Sequence, residues 1–316
     1  MGRVHTIQVL RCVAVAMVVL VHCNLTFTLG SSGVDIFFVI SGFIIARVSK
    51  RRGAIAFLAD RARRIYPMWW IAALPFAAYS IALHGVDRDR LLATASLWPV
   101  YGDYVTPYLA PGWSLSFELL FYMATALVVW RRSMLVPIVA AYTAALVAGI
   151  STGLPLLRFV GNPVALEFML GVGIAMLPEL GRRAGMGFLV LALVGFLLSI
   201  HASGDLLWVE NLMSIATPWR FGQWGLPAAA LVAGALQFER LAHGRIVRAL
   251  EYCGDASYSI YLTHLPVVLA LRGFAPWPAV FLAAFAAGLL AYRLIEQPLT
   301  RRLGPPRTPV LREQLS

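Results

Sequence analysis

Apolar positions along this chain gather into long runs, at residues 7–29, 34–48, 66–83, 113–130, 134–151, 163–178, 186–200, 222–237, 256–272 and 276–295. A helix needs about 20 apolar residues to cross a hydrocarbon layer, so the pattern predicts an all-α, polytopic membrane protein with about ten transmembrane helices. The connections between runs are short and leave no room for a separate soluble domain. The first run is too long for a signal-peptide core and lacks a small-residue cleavage site, so it is expected to be a retained helix. No internal repeat or low-complexity tract interrupts the series. The simplest partition is one membrane domain over 1–303 and a Pro-rich, disordered cytoplasmic tail over 304–316.

Composition agrees with the pattern. The 316 residues are 60% hydrophobic and 13% charged, with a mean hydropathy of +0.76, outside the range of soluble domains. Cys12, Cys23 and Cys253 have neither disulfide-framework nor zinc-ligand spacing and read as small core residues.

The formal charge of +11 changes meaning once the basic residues are assigned to alternate sides of the membrane. With the N-terminus inside, only Arg88, Arg90, Arg158, Arg220 and Arg272 of the 26 basic residues fall outside. That asymmetry follows the positive-inside rule and predicts cytoplasmic N- and C-termini, with no nucleic-acid partner. Trp69, Trp70, Trp98, Tyr101, Tyr104, Trp208, Trp219 and Trp224 fall at helix ends or in outer loops, where they read as headgroup-layer anchors. Two outer loops, His84 to Pro111 and His201 to Phe221, are long enough to hold a sugar.

Ionisable groups inside spanning segments are costly and therefore candidate functional residues. Arg11 and His22 are separated by eleven positions, about 1100° of helix and only about 20° from three whole turns, so they share a face. The rise of about 1.5 Å per residue sets His22 about 16 Å further toward the outer surface. The plain alternative for His22 is a packing histidine bonded to a neighbouring carbonyl. In the fourth run Ser114, Glu118 and Tyr122 share a face at i, i+4 and i+8, and in the ninth Ser257, Tyr261 and His264 do so at i, i+4 and i+7. A basic stretch, Arg61-Ala62-Arg63-Arg64 before Tyr66-Pro67, follows Lys50-Arg51-Arg52 between the second and third runs. It reads either as a topology determinant or as a clamp for phosphates such as those of coenzyme A, whose oxygens match guanidinium forks.

These stretches together resemble the acyltransferase-3 family of bacterial inner-membrane O-acyltransferases over nearly the whole chain. Arg11 with His22 resembles its arginine–ten residues–histidine motif, and Gly33-Val34-Asp35-Ile36-Phe37-Phe38-Val39-Ile40-Ser41-Gly42-Phe43 its second-helix signature. Arg61 with Arg64 resembles its paired loop arginines. The fourth-helix block, Tyr258-Ser259-Ile260-Tyr261-Leu262-Thr263-His264 and the closing Ile295-Glu296-Gln297-Pro298 also match. In the commoner pattern a second glutamate and a glutamine follow the fourth-helix glutamate; here Leu119 and Leu120 stand instead. With Ile7-Gln8-Val9-Leu10-Arg11, this variant is similar to the exopolysaccharide (succinoglycan-type) acetyltransferase branch.

The resemblance implies a multi-pass protein of the bacterial cytoplasmic membrane that transfers acetyl from acetyl-CoA, a co-substrate, to a carbohydrate or lipid-linked glycan hydroxyl without a metal. On this reading His22 is the general base, since an imidazole titrating near about 6.5 can take a proton from a hydroxyl at neutral pH. Glu118 would orient it as the acid of a catalytic triad does. Arg11, Arg61 and Arg64 would hold the coenzyme's phosphates, and Ser114, Tyr122, Tyr261 and His264 would position substrate. No soluble esterase-type domain follows the tenth helix, so delivery without a fused partner is expected. The competing readings are a transporter or flippase of a lipid-linked sugar, against which stands the lack of an inverted repeat or paired broken helices, and an acyltransferase acting on a small glycosylated metabolite such as a macrolide.

Overall fold

The computed structural model of the chain describes residues 3–48, 53–200 and 217–303. The Lys50-Arg51-Arg52 cluster, most of the outer loop from His201 to Phe221 with its Trp208, and the tail after Leu303 lie outside the described residues.

Each apolar run has a helical counterpart. In chain order the elements are α1 (His5–Cys23), α2 (Gly33–Val48), α3 (Ala54–His84), α4 (Arg88–Ser96), a two-residue antiparallel pair β1 (Val100–Tyr101) and β2 (Asp103–Tyr104), α5 (Gly112–Trp130), α6 (Leu135–Thr152), α7 (Pro155–Val160) and α8 (Ala165–Ile174). They continue with α9 (Gly181–Ser199), α10 (Thr217–Arg220), α11 (Leu226–Leu236), α12 (Arg245–Asp255), α13 (Ser257–Leu271), α14 (Trp277–Ala291) and α15 (Gln297–Leu303). Among the described residues eight helical stretches are long and apolar enough to cross a membrane, and Phe221–Leu236 and Ser257–Leu271 are shorter apolar helices. The chain is an all-α polytopic membrane protein.

α1 is the centre of the bundle, touching α2, α11, α12, α13 and α14. Its buried positions Ile7, Leu10, Arg11, Ala14, Val15 and Val18 recur at helical spacing. α2 packs on α8 at very short range, because a Cβ on Gly42 would collide with the carbonyl of Phe168 and one on Gly171 with the carbonyl of Val39. Without a hydrophobic drive between helices in lipid, such close backbone approach is how they associate. Outward faces of α6 and α9 are apolar and exposed, as at Val139, Val147, Leu191, Leu193 and Leu198.

The structure corrects three details. The arginine pair read as a loop is part of α3, 31 residues long. Alanine and arginine are strong helix formers, and the two internal prolines, Pro67 and Pro75, are accommodated inside the helix. Trp69 and Trp224, expected as headgroup anchors, are fully buried: Trp69 donates its indole hydrogen to the Thr94 carbonyl at 2.7 Å, and Trp224 lies 4.6 Å under the guanidinium of Arg220. Arg220, expected in a solvated outer loop, is only 4% exposed, because Asp35 accepts its Nη2 hydrogen at 2.7 Å.

Candidate active site

Arg11 stands on α1 facing the start of α13, where its Nε and Nη2 donate to Ser257 Oγ at 3.1 and 2.9 Å. Arg61 and Arg64 are three apart on α3 and share a face. The Arg61 guanidinium lies 5.9 Å from the ring centres of both Phe57 and Tyr122, and its Nε is buried without a hydrogen-bond partner among the described residues. All three arginines line one cavity enclosing about 820 Å³ of empty space, its open mouth included. Ser41, Ser114, Glu118, Tyr122, Ser257, Tyr258 and Tyr261 supply its polar lining, with Val34, Phe37, Phe38, Ile40, Ile44 and Ile45 of α2 as an apolar wall.

The stripe expected on the fourth run is real and faces this space. Glu118 accepts hydrogen bonds from Ser41 Oγ at 3.1 Å and from the Tyr122 hydroxyl. Ser114 and Tyr261 join their hydroxyls at 2.8 Å, and Tyr261 also donates to the Pro111 carbonyl at 3.0 Å, which ties α13 to the head of α5. Tyr258 donates to the Ile65 carbonyl at 2.8 Å and ties α13 to α3. Beside the cavity, Ser259 donates to Glu296 Oε2 at 2.5 Å, which makes the closing Ile295-Glu296-Gln297-Pro298 element a neighbour of the same wall.

His22 is not in that lining. It sits at the far end of α1 as an exposed residue, its Nδ1–H donated to the Val18 carbonyl at 2.8 Å, which is the bond of a packing histidine but leaves Nε2 without a hydrogen bond among the described residues. Its ring partner is His264, with centroids 4.8 Å apart and planes at 69°. Among the described residues no hydrogen bond joins His22 to Glu118, whose carboxylate is engaged by Ser41 and Tyr122 instead. His264 is fully buried and is reached from the cavity through Tyr261, whose ring centre is 5.8 Å away. The site residues therefore fall into two groups: Arg11, Arg61, Arg64, Ser114, Glu118, Tyr122 and Tyr261 around the cavity, and His22 with His264 behind it.

Sequence reasoning gave no role to Ser41, Tyr258 or Glu296, all inside quoted motifs, and overlooked Glu167, which with Asp35 and Arg220 forms a buried charged cluster between α2, α8 and α10. The signal for Glu167 was an acid in an otherwise apolar run.

A family model described as an acyltransferase domain, that of the acyltransferase-3 family, matches residues 4–296. The chain is 35% identical over 308 residues to the exopolysaccharide production protein ExoZ of Rhizobium meliloti (strain 1021), covering 87% of this chain and 91% of that one. It is 26% identical over 335 residues to the acyltransferase MdmB of Streptomyces mycarofaciens, covering 88% of this chain and 82% of that one. No solved structure matches.

Proposed function

The chain belongs to the acyltransferase-3 family, and from that premise we propose that it transfers an acetyl group from acetyl-CoA to a sugar hydroxyl of an exopolysaccharide or another envelope glycan at the bacterial cytoplasmic membrane, with His22 as general base. The observation that carries the donor side of this reading is the convergence of Arg11, Arg61 and Arg64 on one cavity, with the buried Arg61 Nε lacking a partner among the described residues. Guanidinium forks are built for phosphate oxygens, and the cavity's apolar α2 wall suits an uncharged arm. Acetyl-CoA would supply the activated thioester. The exopolysaccharide acceptor rests on the relative that is 35% identical and named for exopolysaccharide production.

The residues then divide the work. Arg11, Arg61 and Arg64 hold phosphate at the basic end of the bundle. Glu118 keeps Ser41 and Tyr122 oriented and offsets the charge of the arginines, a different task from orienting His22. Ser114 and Tyr261 offer hydroxyls at the inner end of the cavity. His22, about 16 Å along α1 from Arg11, takes the acceptor's proton on Nε2, the atom left free by the Val18 bond.

Labelled acetyl-CoA added to membrane vesicles tests this. Native protein should label the host's glycans, and His22→Ala at equal expression should lower the rate by about a hundredfold or more. Equal label in both removes His22 from the reaction, and no label from either returns the sugar-transport reading.

A further inference from the structure

Behind His22 lies a second imidazole that this chemistry leaves idle. His264 is 0% exposed, and its Nδ1–H donates to the Tyr261 carbonyl at 2.7 Å. A carbonyl can only accept, so the tautomer is fixed and Nε2 is an acceptor. That Nε2 is buried without a hydrogen-bond partner among the described residues, an arrangement proteins rarely leave in place without a use. Its ring meets that of His22 edge-on, at 4.8 Å between centroids.

Both imidazoles therefore carry their proton on Nδ1, locked to a carbonyl of their own helix, and a lone pair on Nε2. A neutral imidazole so fixed is a dipole with its negative end at Nε2. Beside a neutral His22 it gains little. Beside an imidazolium it is attractive, the more so because His264 itself is fully buried. Glu118 hydrogen-bonds to Ser41 and Tyr122, and among the described residues no acid is bonded to His22 to do this.

We propose that His264 is the positioning residue of His22, holding its ring edge-on and stabilising the imidazolium it becomes during transfer; this rests on the reading of His22 as base. In the step concerned, the acceptor's O–H bond breaks and its proton goes to His22 Nε2. The oxygen bonds to the acetyl carbon, the carbon–sulfur bond breaks, and the proton passes from His22 to the departing thiolate. Only the middle of that sequence carries charge on His22, so the contact acts on kcat and not on donor binding.

The test compares native protein, His264→Leu, His264→Gln and His22→Ala in vesicles with acetyl-CoA varied, and reads coenzyme A binding separately as a thermal shift. His264→Leu should lose about a hundredfold in kcat with KM for acetyl-CoA within about twofold and the thermal shift retained. His264→Gln, whose amide oxygen restores an acceptor, should recover at least about tenfold over Leu. A Leu variant within about twofold of native in kcat, a loss that falls in KM, or a Gln variant no better than Leu overturns the proposal. Should His264→Leu lose the thermal shift of a folded protein, His264→Met replaces it under the same criteria. An active His22→Ala overturns the base assignment itself, whereas an inactive His22→Ala beside an active His264→Leu overturns this proposal alone.

Discussion

At the scale of the residue, the cost of burying charge is most visible where no chemistry is proposed. Asp35 and Glu167 are 0% exposed and Arg220 4%, and the Arg220 guanidinium also lies 5.8 Å from the ring centre of Trp113. One guanidinium balances one carboxylate, so the Asp35–Arg220 pair is neutral and Glu167 is a surplus acid. Removing one partner of a buried pair strands the other charge at a cost of about 3–5 kcal/mol. Arg220→Gln, which leaves both acids without their counter-charge, is therefore expected to lower the melting temperature in detergent steeply, while Glu167→Gln, which keeps the shape and removes the surplus, stays within about 1 kcal/mol of native. Equal losses in both would refute this charge accounting. The intramembrane-charge rule that singled out His22 applies equally to Asp35 and Glu167. What the sequence could not give was their counter-ion, since Arg220 lies 185 positions from Asp35.

At the scale of the element, α1 begins without a side-chain cap of its own, and a distant carboxylate takes that place. Glu239 accepts from the backbone N–H of His5 at 2.6 Å and of Thr6 at 2.9 Å, and from Thr6 Oγ1 at 2.6 Å. Partial burial alone would raise its proton affinity, but the hydrogen bonds from Thr6 and His5 outweigh burial and hold its carboxyl below the usual range. A depressed group stabilises the fold above its unfolded value and loses that contribution as pH falls through the folded one. The first turn of α1 should thus loosen on acidification below the ordinary carboxylate range, seen as faster amide exchange at residues 5–8. Glu239→Gln should show faster exchange already at neutral pH, by about 1 kcal/mol or less for a half-exposed cap, with little further response to acid. Packing between elements has its own test at α2 and α8, where Gly42→Leu should cost about 1–3 kcal/mol by forcing the Phe168 backbone away. Of these features, the helices were legible as runs of apolar residues. The extent of α3 was not, because Tyr66-Pro67 reads as a boundary until neighbours show the proline inside a packed helix.

At the scale of the whole molecule, the arginine cavity and the two histidines lie toward opposite ends of α1. If donor enters at the basic end, inside-out vesicles should incorporate label from added acetyl-CoA, and sealed right-side-out vesicles should not. Incorporation in both orientations at equal rates would mean that the donor is not confined to the basic face.

The sequence by itself determined the solvent this protein needs, the series of apolar helices, and which side chains share a helical face, because each depends only on local composition and on a period of about 3.6 residues. It also exposed the family through motifs whose order along the chain is unchanged by folding. The partners across helices were left to the tertiary structure: Glu118 with Ser41, His22 with His264, Arg11 with Ser257, Asp35 with Arg220, and Glu239 with the head of α1. Each of these contacts joins residues far apart in the chain, and which ones meet is set by helix packing, where glycine contacts such as Gly42 on Phe168 fix how closely the backbones approach and hence which polar groups come within hydrogen-bond reach.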